Sequence, residues 1–293
     1  MFSGFEEHRF QSEEVEIYTR IGGSGPALLL LHGYPQTHAV WHAVAQTLAE
    51  HFTLIIPDLP GYGNSVGRPL DAEHIAYSKR TMAADLLSLM DELGHPVFRL
   101  AGHDRGGRVA YRLALDHPHR VRRLAVIDIV TTLDAWESMN WQRALGTYHW
   151  SFLAVPAPVP ERLIGGDPDF YLEHLLCRWV GNRDALDAEA VDAYKRAFRK
   201  PSVIEATCED YRAGATCDVE HDRADLARGR KIQCPVLVMW GRGYLSSKAD
   251  SPAETWCKWA DDLTEVALDC GHFVIEEEPT ASAQALLQFF GDT

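Results

Sequence analysis

Residues 97–115 read VFRLAGHDRGGRVAYRLAL. The apolar run at 97–101 is typical of a strand that is buried on both faces, and residues 107–115 have the length and spacing of a helix. Glycines are the first and last residues of the five-residue turn at 102–106, because a sharp turn with a strained central residue needs them. The pattern therefore predicts a strand, a tight turn that presents Asp104, and a helix.

The same alternation of strands and helices covers most of the chain. Further apolar runs typical of buried strands lie at residues 26–31, 53–57, 124–127 and 236–239. Helical patterns lie at residues 38–50, 79–93, 105–115 and, near the end, 281–290. Strands that are buried on both faces belong to parallel sheets, and their crossovers are right-handed. The sequence therefore predicts an α/β fold with a doubly wound core around a mostly parallel sheet.

One long interval interrupts this core. The alternation stops after Asp128 and resumes at Cys234, and the intervening segment is rich in Trp, Tyr and helix-forming residues. An interval of roughly 100 residues is too long for a simple loop. We therefore predict an inserted helical cap at residues 134–225, with residues 1–133 and 226–293 forming the two parts of the core. The cap would close a pocket above the sheet.

Charge restricts the partners that the protein can bind. The chain has 293 residues and a formal net charge of -14. Nucleic acid and anionic membrane surfaces would be repelled at long range, so neither is an expected partner. A small anionic substrate remains compatible with this charge. Screening over about 8 Å lets arginines that line a pocket outweigh a distant acidic surface.

The sequence also bears on the cellular compartment. Residues 1–11 lack the apolar core of a secretory signal, and no apolar stretch approaches the roughly 20 residues that span a bilayer. Six scattered cysteines include no C-x-x-C pair, which indicates reduced thiols and gives no metal signature. We expect a cytoplasmic protein.

Asp104 stands where the G-x-S-x-G nucleophile elbow has its serine. A carboxylate that attacks an sp3 carbon leaves an ester, which water can cleave, whereas a serine would leave an ether. The aspartate therefore indicates displacement at carbon. Two alternatives are a serine enzyme that has lost its nucleophile and an aspartate that only caps the following helix.

His272 is the candidate general base. It lies in the segment DCGHF at 269–273, before the last helical pattern. Although the chain has 14 histidines, the order nucleophile, acid, histidine selects this one. We assign the acid to Asp128, because the strand at 236–239 is followed by no carboxylate before Asp250. The alternative is that Asp128 is an ordinary loop residue at a strand end.

The segment HGYP at 32–35 follows the predicted strand at 26–31. A loop in this position supplies half of an oxyanion hole in folds of this type. The backbone N–H groups of Tyr34 and Arg105 would then stabilise a tetrahedral intermediate.

Together these motifs resemble the fluoroacetate (haloacetate) dehalogenases, a capped branch of the α/β-hydrolase fold with an aspartate nucleophile. The resemblance covers nearly the whole chain, and its specific stretches are residues 32–41, 102–108, 148–171 and 208–213. It implies that Arg105 and Arg108 bind the substrate carboxylate, a task that suits guanidinium groups. It implies that His149, Trp150 and Tyr211 bind the halide. It also implies a homodimer that needs no metal or organic cofactor.

The reaction that this resemblance implies has two steps. Asp104 displaces the halide of a short 2-haloacid, such as fluoroacetate or chloroacetate, and becomes esterified. His272, oriented by Asp128, then activates the water that releases the 2-hydroxy acid. The sequence leaves open whether the carbon–fluorine bond is cleaved or only the weaker bonds to chlorine and bromine.

Other interpretations stay open at this stage. An epoxide hydrolase uses the same Asp, His, Asp machinery with cap tyrosines, although such enzymes usually have Trp where this chain has Arg105. A noncatalytic ligand receptor on the same fold would not need an intact triad. Without the resemblance, Arg108 would be a surface residue of an amphipathic helix, and Trp150 and Tyr211 would be core aromatics.

Overall fold

The structure is a computed structural model that describes residues 1–245 and 251–291. Its strands are β1 (Glu6–Gln11), β2 (Glu16–Gly23), β3 (Ala27–Leu31), β4 (Thr53–Pro57), β5 (Phe98–His103), β6 (Val121–Ile127), β7 (Val236–Gly241) and β8 (Leu263–Leu268). They form one sheet in the order β1-β2-β4-β3-β5-β6-β7-β8. β2 is antiparallel to both of its neighbours, and all pairs from β4 to β8 are parallel. The predicted mostly parallel sheet is confirmed.

Helices connect and cover the strands. Before β6 lie α1 (His42–Ala49), α2 (Lys79–Glu92) and α3 (Asp104–Asp116). Between β6 and β7 lie α4 (Thr132–Glu137), α5 (Trp141–Gly146), α6 (Tyr148–Leu153), α7 (Val159–Gly166), α8 (Pro168–Trp179), α9 (Ala188–Phe198), α10 (Pro201–Ala215) and α11 (Cys217–Ala227). After β7 come α12 (Pro252–Trp256), α13 (Val274–Glu277) and α14 (Pro279–Phe290). Short 3-10 helices lie at His38–Trp41, Ile75–Tyr77 and Arg183–Ala185.

The central strands are apolar throughout because both faces of the sheet are covered. Leu28 and Leu30 of β3 pack in a cluster with residues of α1 and α14. Leu29 and Leu31 point to the other face and pack with residues of α2 and α3. This alternation follows from the two-residue repeat of a strand, and it confirms the doubly wound core.

Three strands were not predicted from the sequence. β1 and β2 alternate or expose polar side chains, and β8 is only partly buried at the far edge of the sheet. β1 and β8 are the edge strands, and β2 is antiparallel to both of its neighbours. Neither kind of strand needs the continuous apolar run of a central parallel strand, so the pattern that located β3 to β7 is missing from these segments.

The eight helices from α4 to α11 occupy the interval in which we predicted the cap. We propose that they form it, and the boundaries at residues 134 and 225 stay a prediction. Within residues 1–245 and 251–291, no helix has both the length and the apolar composition to cross a membrane.

Candidate active site

Asp104 lies at the junction of β5 and α3, as the turn pattern predicts. Its φ of 44° is in the left-handed region, which is strained for a residue with a Cβ atom and occurs often at functional sites. A Cβ atom on Gly102 would lie 2.4 Å from the Gly106 carbonyl oxygen, and one on Gly106 would lie 2.3 Å from that of His32. Both glycines are therefore required for the turn that exposes Asp104 to the space above the sheet.

The Asp104 carboxylate contacts the loop after β3. The backbone N–H of Tyr34 donates a hydrogen bond to Oδ2 of Asp104 at 2.9 Å. The approach depends on Gly33, because a Cβ atom there would lie 2.5 Å from the Asp104 Cβ. The N–H of Arg105 lies in the first turn of α3, where backbone N–H groups have no carbonyl partner within the helix. Of the two donors predicted for an oxyanion hole, the Tyr34 N–H contacts the Asp104 carboxylate, and the role of the Arg105 N–H stays a prediction.

His272 and Asp128 form a buried pair beside this carboxylate. Nδ1 of His272 lies 2.5 Å from Oδ2 of Asp128, and the other Asp128 oxygen accepts the Gly241 N–H at 3.0 Å. Asp128 follows β6 with a φ of 55°. The backbone N–H of His272 donates to the backbone carbonyl of Trp179 at 2.9 Å, which connects the histidine loop to the end of α8. The alternative position that ended at Asp250 lies outside the described residues.

Neighbouring charged side chains shift the pKa values of His272 and Asp104. Burial lowers the pKa of His272, but the carboxylates of Asp128 and Asp104 outweigh it and raise the pKa above its ordinary value. Burial raises the pKa of Asp104, but His272, His103 and Arg105 reverse this and lower it. Asp104 is therefore an ionised carboxylate at neutral pH, available as a nucleophile.

The two arginines predicted to bind a carboxylate are both buried beside Asp104. The guanidinium of Arg105 forms an ion pair with Asp210 and lies 4.1 Å from the ring centre of Tyr211. The guanidinium of Arg108 lies 4.5 Å from the ring centre of Trp150. Arg108 is therefore not a surface residue of its helix.

The three predicted halide ligands lie together in one aromatic cluster. The Tyr211 ring is 5.8 Å from that of His149 and 6.0 Å from that of Trp150. Burial lowers the pKa of His149 to about 3, so its imidazole is neutral and can donate one N–H. Burial also raises the pKa of Tyr211, which keeps its hydroxyl protonated. The cluster thus presents neutral N–H and O–H donors.

Six of the predicted site residues line one cavity of about 60 Å³, whereas Tyr34, Arg105 and Tyr211 are not among its described lining residues. It is lined by Asp104, Arg108, Asp128, His149, Trp150, Trp179, Tyr244 and His272, together with apolar residues such as Ile129 and Met139. A cavity of this volume has room for only a few water-sized groups, and it is much smaller than the site of a drug-sized ligand. A larger pocket of about 930 Å³ shares lining residues with it, among them Trp179 and Tyr244.

Sequence reasoning missed several residues of the site. The Tyr244 ring lies 4.4 Å from that of His272, and the Trp179 ring lies 4.5 Å from that of His149. Neither aromatic belongs to a motif with a recognisable spacing. Asp210 precedes Tyr211 directly, so its position beside a predicted ligand was the one signal that could have drawn attention to it.

Comparison with known proteins identifies relatives along the full chain. Residues 26–279 match the alpha/beta hydrolase fold family. The fluoroacetate dehalogenase of Burkholderia sp is 42% identical over 100% of this chain and 96% of that protein. The soluble epoxide hydrolase of Corynebacterium sp. (strain C12) is 34% identical over 99% of both chains. The crystal structure of ALR0039 from Nostoc sp PCC 7120 has a TM-score of 0.97 and 46% identity over 100% of both chains. The resemblance inferred from the motifs is confirmed.

Proposed function

The chain belongs to the alpha/beta hydrolase fold family and is a hydrolase, and from this premise we propose that it cleaves the carbon–halogen bond of a short 2-haloacid. The products are the 2-hydroxy acid and halide. The observation that carries the proposal is the small cavity in which Asp104, Arg108 and His149 face one another. It combines a carboxylate nucleophile, a cation and a neutral donor in a space that suits a two-carbon substrate.

In the first step, Oδ1 of Asp104 attacks the α-carbon while the carbon–halogen bond breaks. The bonding electrons leave with the halide, and an ester joins Asp104 to the substrate. The hydrogen bond from Tyr34 to Oδ2 of Asp104 holds the carboxylate in position for an in-line attack. A neutral His149 favours this step, because its N–H can stabilise the departing anion without protonating the nucleophile.

In the second step, water hydrolyses the ester. Neutral His272 accepts a proton from the water, whose oxygen attacks the Cγ atom of Asp104. The N–H of Tyr34 stabilises the resulting oxyanion. Collapse of the intermediate breaks the bond between Cγ and the substrate oxygen, which takes a proton from the His272 imidazolium and leaves as the 2-hydroxy acid. Asp104 loses its remaining proton to solvent and is again a carboxylate, and Asp128 stabilises the imidazolium that forms in between.

Arg105 and Arg108 are proposed to bind the substrate carboxylate, and His149, Trp150 and Tyr211 to receive the halide. Two buried atoms support the first assignment: Nη1 of Arg105 and Nε of Arg108 have no hydrogen-bond partner in the part of the chain that the structure describes. Buried donors are normally satisfied, so a ligand that supplies acceptors would complete the site.

Epoxide hydrolysis is the second candidate, favoured by the 34% identity to the Corynebacterium enzyme. It would use the same nucleophile and base, with a tyrosine such as Tyr211 as the proton donor. The cavity of about 60 Å³ favours haloacetates over bulky epoxides.

A halide-release assay tests the proposal. Purified protein is incubated separately with fluoro-, chloro- and bromoacetate, and with 1-chlorobutane and styrene oxide as neutral alternative substrates. We expect halide and glycolate from at least one haloacetate, and no release by the Asp104→Asn variant, because an amide is a poor nucleophile. Turnover of styrene oxide without any haloacetate turnover would favour the epoxide hydrolase. Substrate binding without turnover of any compound would favour a noncatalytic receptor.

A further inference from the structure

Arg105 is the more tightly held of the two arginines, and Asp210 of α10 holds it. Nε of Arg105 donates to Oδ2 of Asp210 at 2.8 Å. Nη2 donates to Oδ1 at 2.8 Å and to the Asp210 carbonyl at 2.7 Å. Both side chains are fully buried. Only Nη1 remains available for another acceptor.

The Asp210 carboxylate belongs to a buried cluster of four charges. It also accepts hydrogen bonds from Nζ of Lys79 and from the Tyr62 hydroxyl, the latter at 2.6 Å. Lys79 is itself 1% exposed and lies 3.3 Å from an Asp218 carboxylate oxygen. Two cations, Arg105 and Lys79, therefore face two carboxylates. The positive charge of Arg105 is balanced within the protein before any ligand arrives.

Arg108 differs from Arg105 in this respect. Its hydrogen bond runs from Nη1 to the neutral Thr132 hydroxyl at 3.3 Å. Among residues 1–245 and 251–291, no carboxylate lies within ion-pair distance of its guanidinium. Arg108 also lines the cavity, whereas Arg105 is not among the described lining residues.

We propose that Asp210 is a positioning residue for Arg105 and makes the two arginines unequal. Arg108 supplies the net positive charge that selects an anionic substrate. Arg105 supplies the oriented N–H donors of Nη1, and Asp210 cancels its charge. The identity of the ligand as a carboxylate rests on the proposed function, whereas the balance of charges rests on the ion pairs themselves.

This arrangement predicts that removing Asp210 weakens anion binding when residue 105 is arginine and strengthens it when residue 105 is uncharged. In the parent protein, Asp210→Asn uncovers the charge of Arg105 but also frees the guanidinium from the carboxylate that orients Nη1. We expect the loss of orientation to dominate, so anion binding weakens. In an Arg105→Met background, Asp210 and Asp218 face Lys79 alone and leave one buried negative charge near the anion. Removing Asp210 there restores the balance, so anion binding recovers. If Asp210 had a purely structural role, its removal would weaken anion binding in both backgrounds.

The experiment compares Arg105→Met, Asp210→Asn and the double variant. Two readouts are used: the dissociation constant for acetate by calorimetry, and kcat/KM for chloroacetate. Asp218→Asn is the matched control for distance. Asp218 is a buried carboxylate of the same cluster, but it contacts Lys79 and not Arg105, so its charge acts more weakly on an anion held at Nη1 of Arg105. Circular dichroism and thermal unfolding verify the fold of each variant. If Arg105→Met does not fold, Arg105→Gln replaces it, since its amide can still donate to Asp210.

We expect Asp210→Asn alone to weaken both readouts by roughly 10-fold or more. We expect the same change to improve them by roughly 10-fold in the Arg105→Met background, and Asp218→Asn to give less than about a third of that recovery. Arg105→Lys keeps the charge, so Asp210→Asn must not restore anything in that background. Loss in both backgrounds, or equal recovery with Asp218→Asn, would overturn the inference.

Acetate binding separates this inference from the proposed function. If the parent protein binds acetate but releases no halide, the dehalogenase proposal fails, and the sign change in acetate affinity still decides the role of Asp210. If it releases halide and the sign change is absent, the function stands and the inference fails. If it neither binds acetate nor releases halide, both fail.

Discussion

Nδ1 of His272 lies 2.5 Å from Oδ2 of Asp128, although 144 positions separate the two residues in the chain. The carboxylate fixes the imidazole through Nδ1, so Nε2 is the nitrogen that faces the chemistry. Burial lowers the pKa of His272, but the charge of Asp128, together with that of Asp104, stabilises the protonated imidazole and raises the pKa. The contact between Asp128 and His272 should therefore affect the pH dependence of the reaction.

The pH profile of kcat tests this relationship. His272 must be neutral to accept a proton from water, so kcat falls as the pH decreases through the pKa of His272 in the ester intermediate. There the charge of Asp128 still raises that pKa, whereas the esterified Asp104 no longer does. Asp128→Asn removes the stabilising charge, so the limb moves to lower pH while the plateau falls on the order of 100-fold. The profile is measured with chloroacetate from pH 5 to 9. A limb that stays in place in the variant would contradict the assignment of Asp128.

The His272→Asn variant separates the two steps of the reaction. Because the base acts only on the ester, the variant should release halide once per site and then stop. Intact-mass spectrometry should detect the protein with one carboxymethyl group, and peptide mapping should locate it on Asp104. A variant that binds substrate and forms no adduct would disprove this division of roles.

The Arg108→Met variant tests the selection of anions. Loss of a charge-assisted interaction in a closed pocket should cost about 1.5 to 3 kcal/mol in kcat/KM for chloroacetate. The loss should appear in kcat as well as in KM, because the α-carbon is misplaced. Neutral chloroacetamide should be affected much less. Arg122→Met is the control, since Arg122 is exposed near the amino end of β6, whereas Asp104 follows the carboxyl end of the neighbouring strand β5.

A parent protein that prefers 1-chlorobutane would refute the proposed binding of a carboxylate. So would unchanged chloroacetate kinetics in both Arg105→Met and Arg108→Met.

Gly33→Ala tests the approach of the Tyr34 loop to Asp104. The added Cβ atom would lie 2.5 Å from the Asp104 Cβ and 2.9 Å from the His103 carbonyl oxygen. We expect a loss of about 1 to 3 kcal/mol in the free energy of unfolding and a fall in kcat of roughly 100-fold. Gly165→Ala in α7 is the control, because nothing lies within 4 Å of its Cβ, and it should stabilise by about 0.5 to 1 kcal/mol. Equal activity of the two variants would contradict the geometry.

Glu276 makes stability depend on pH. Its buried carboxyl accepts hydrogen bonds from Gln36 at 2.5 Å and Tyr194 at 2.9 Å, yet burial raises its pKa from 4.5 to about 8. The unfolded chain loses this proton at lower pH than the folded protein does. The stabilisation is therefore complete below pH 4.5 and is lost as the pH rises towards 8, by up to about 4 kcal/mol.

The Glu276→Gln variant stays neutral at every pH, so its free energy of unfolding should fall less than that of the parent between pH 5 and 8. Urea unfolding at intervals of one pH unit measures both slopes. Parallel slopes for the two proteins would refute the raised pKa.

The sequence determined the parts of the site that depend on neighbours along the chain. The glycines of residues 102–106, the apolar strand before them and the helix after them are local signals, so the elbow and Asp104 were predictable. The order of Asp104, Asp128 and His272 was predictable too, because each follows a parallel strand and the carboxyl ends of such strands meet at one edge of a sheet.

Only the tertiary structure decided which charges are balanced and how much room the substrate has. Arg105 and Arg108 look equivalent on one helical face, yet Asp210, which is 105 residues further along the chain, pairs with one and not with the other. Likewise, His149 is neutral because the packed helices around it exclude water. The strength of an ion pair and the pKa of a side chain depend on distance and burial across the whole fold. No local pattern of residues encodes these quantities, and they become defined only when the helices between β6 and β7 pack against the sheet.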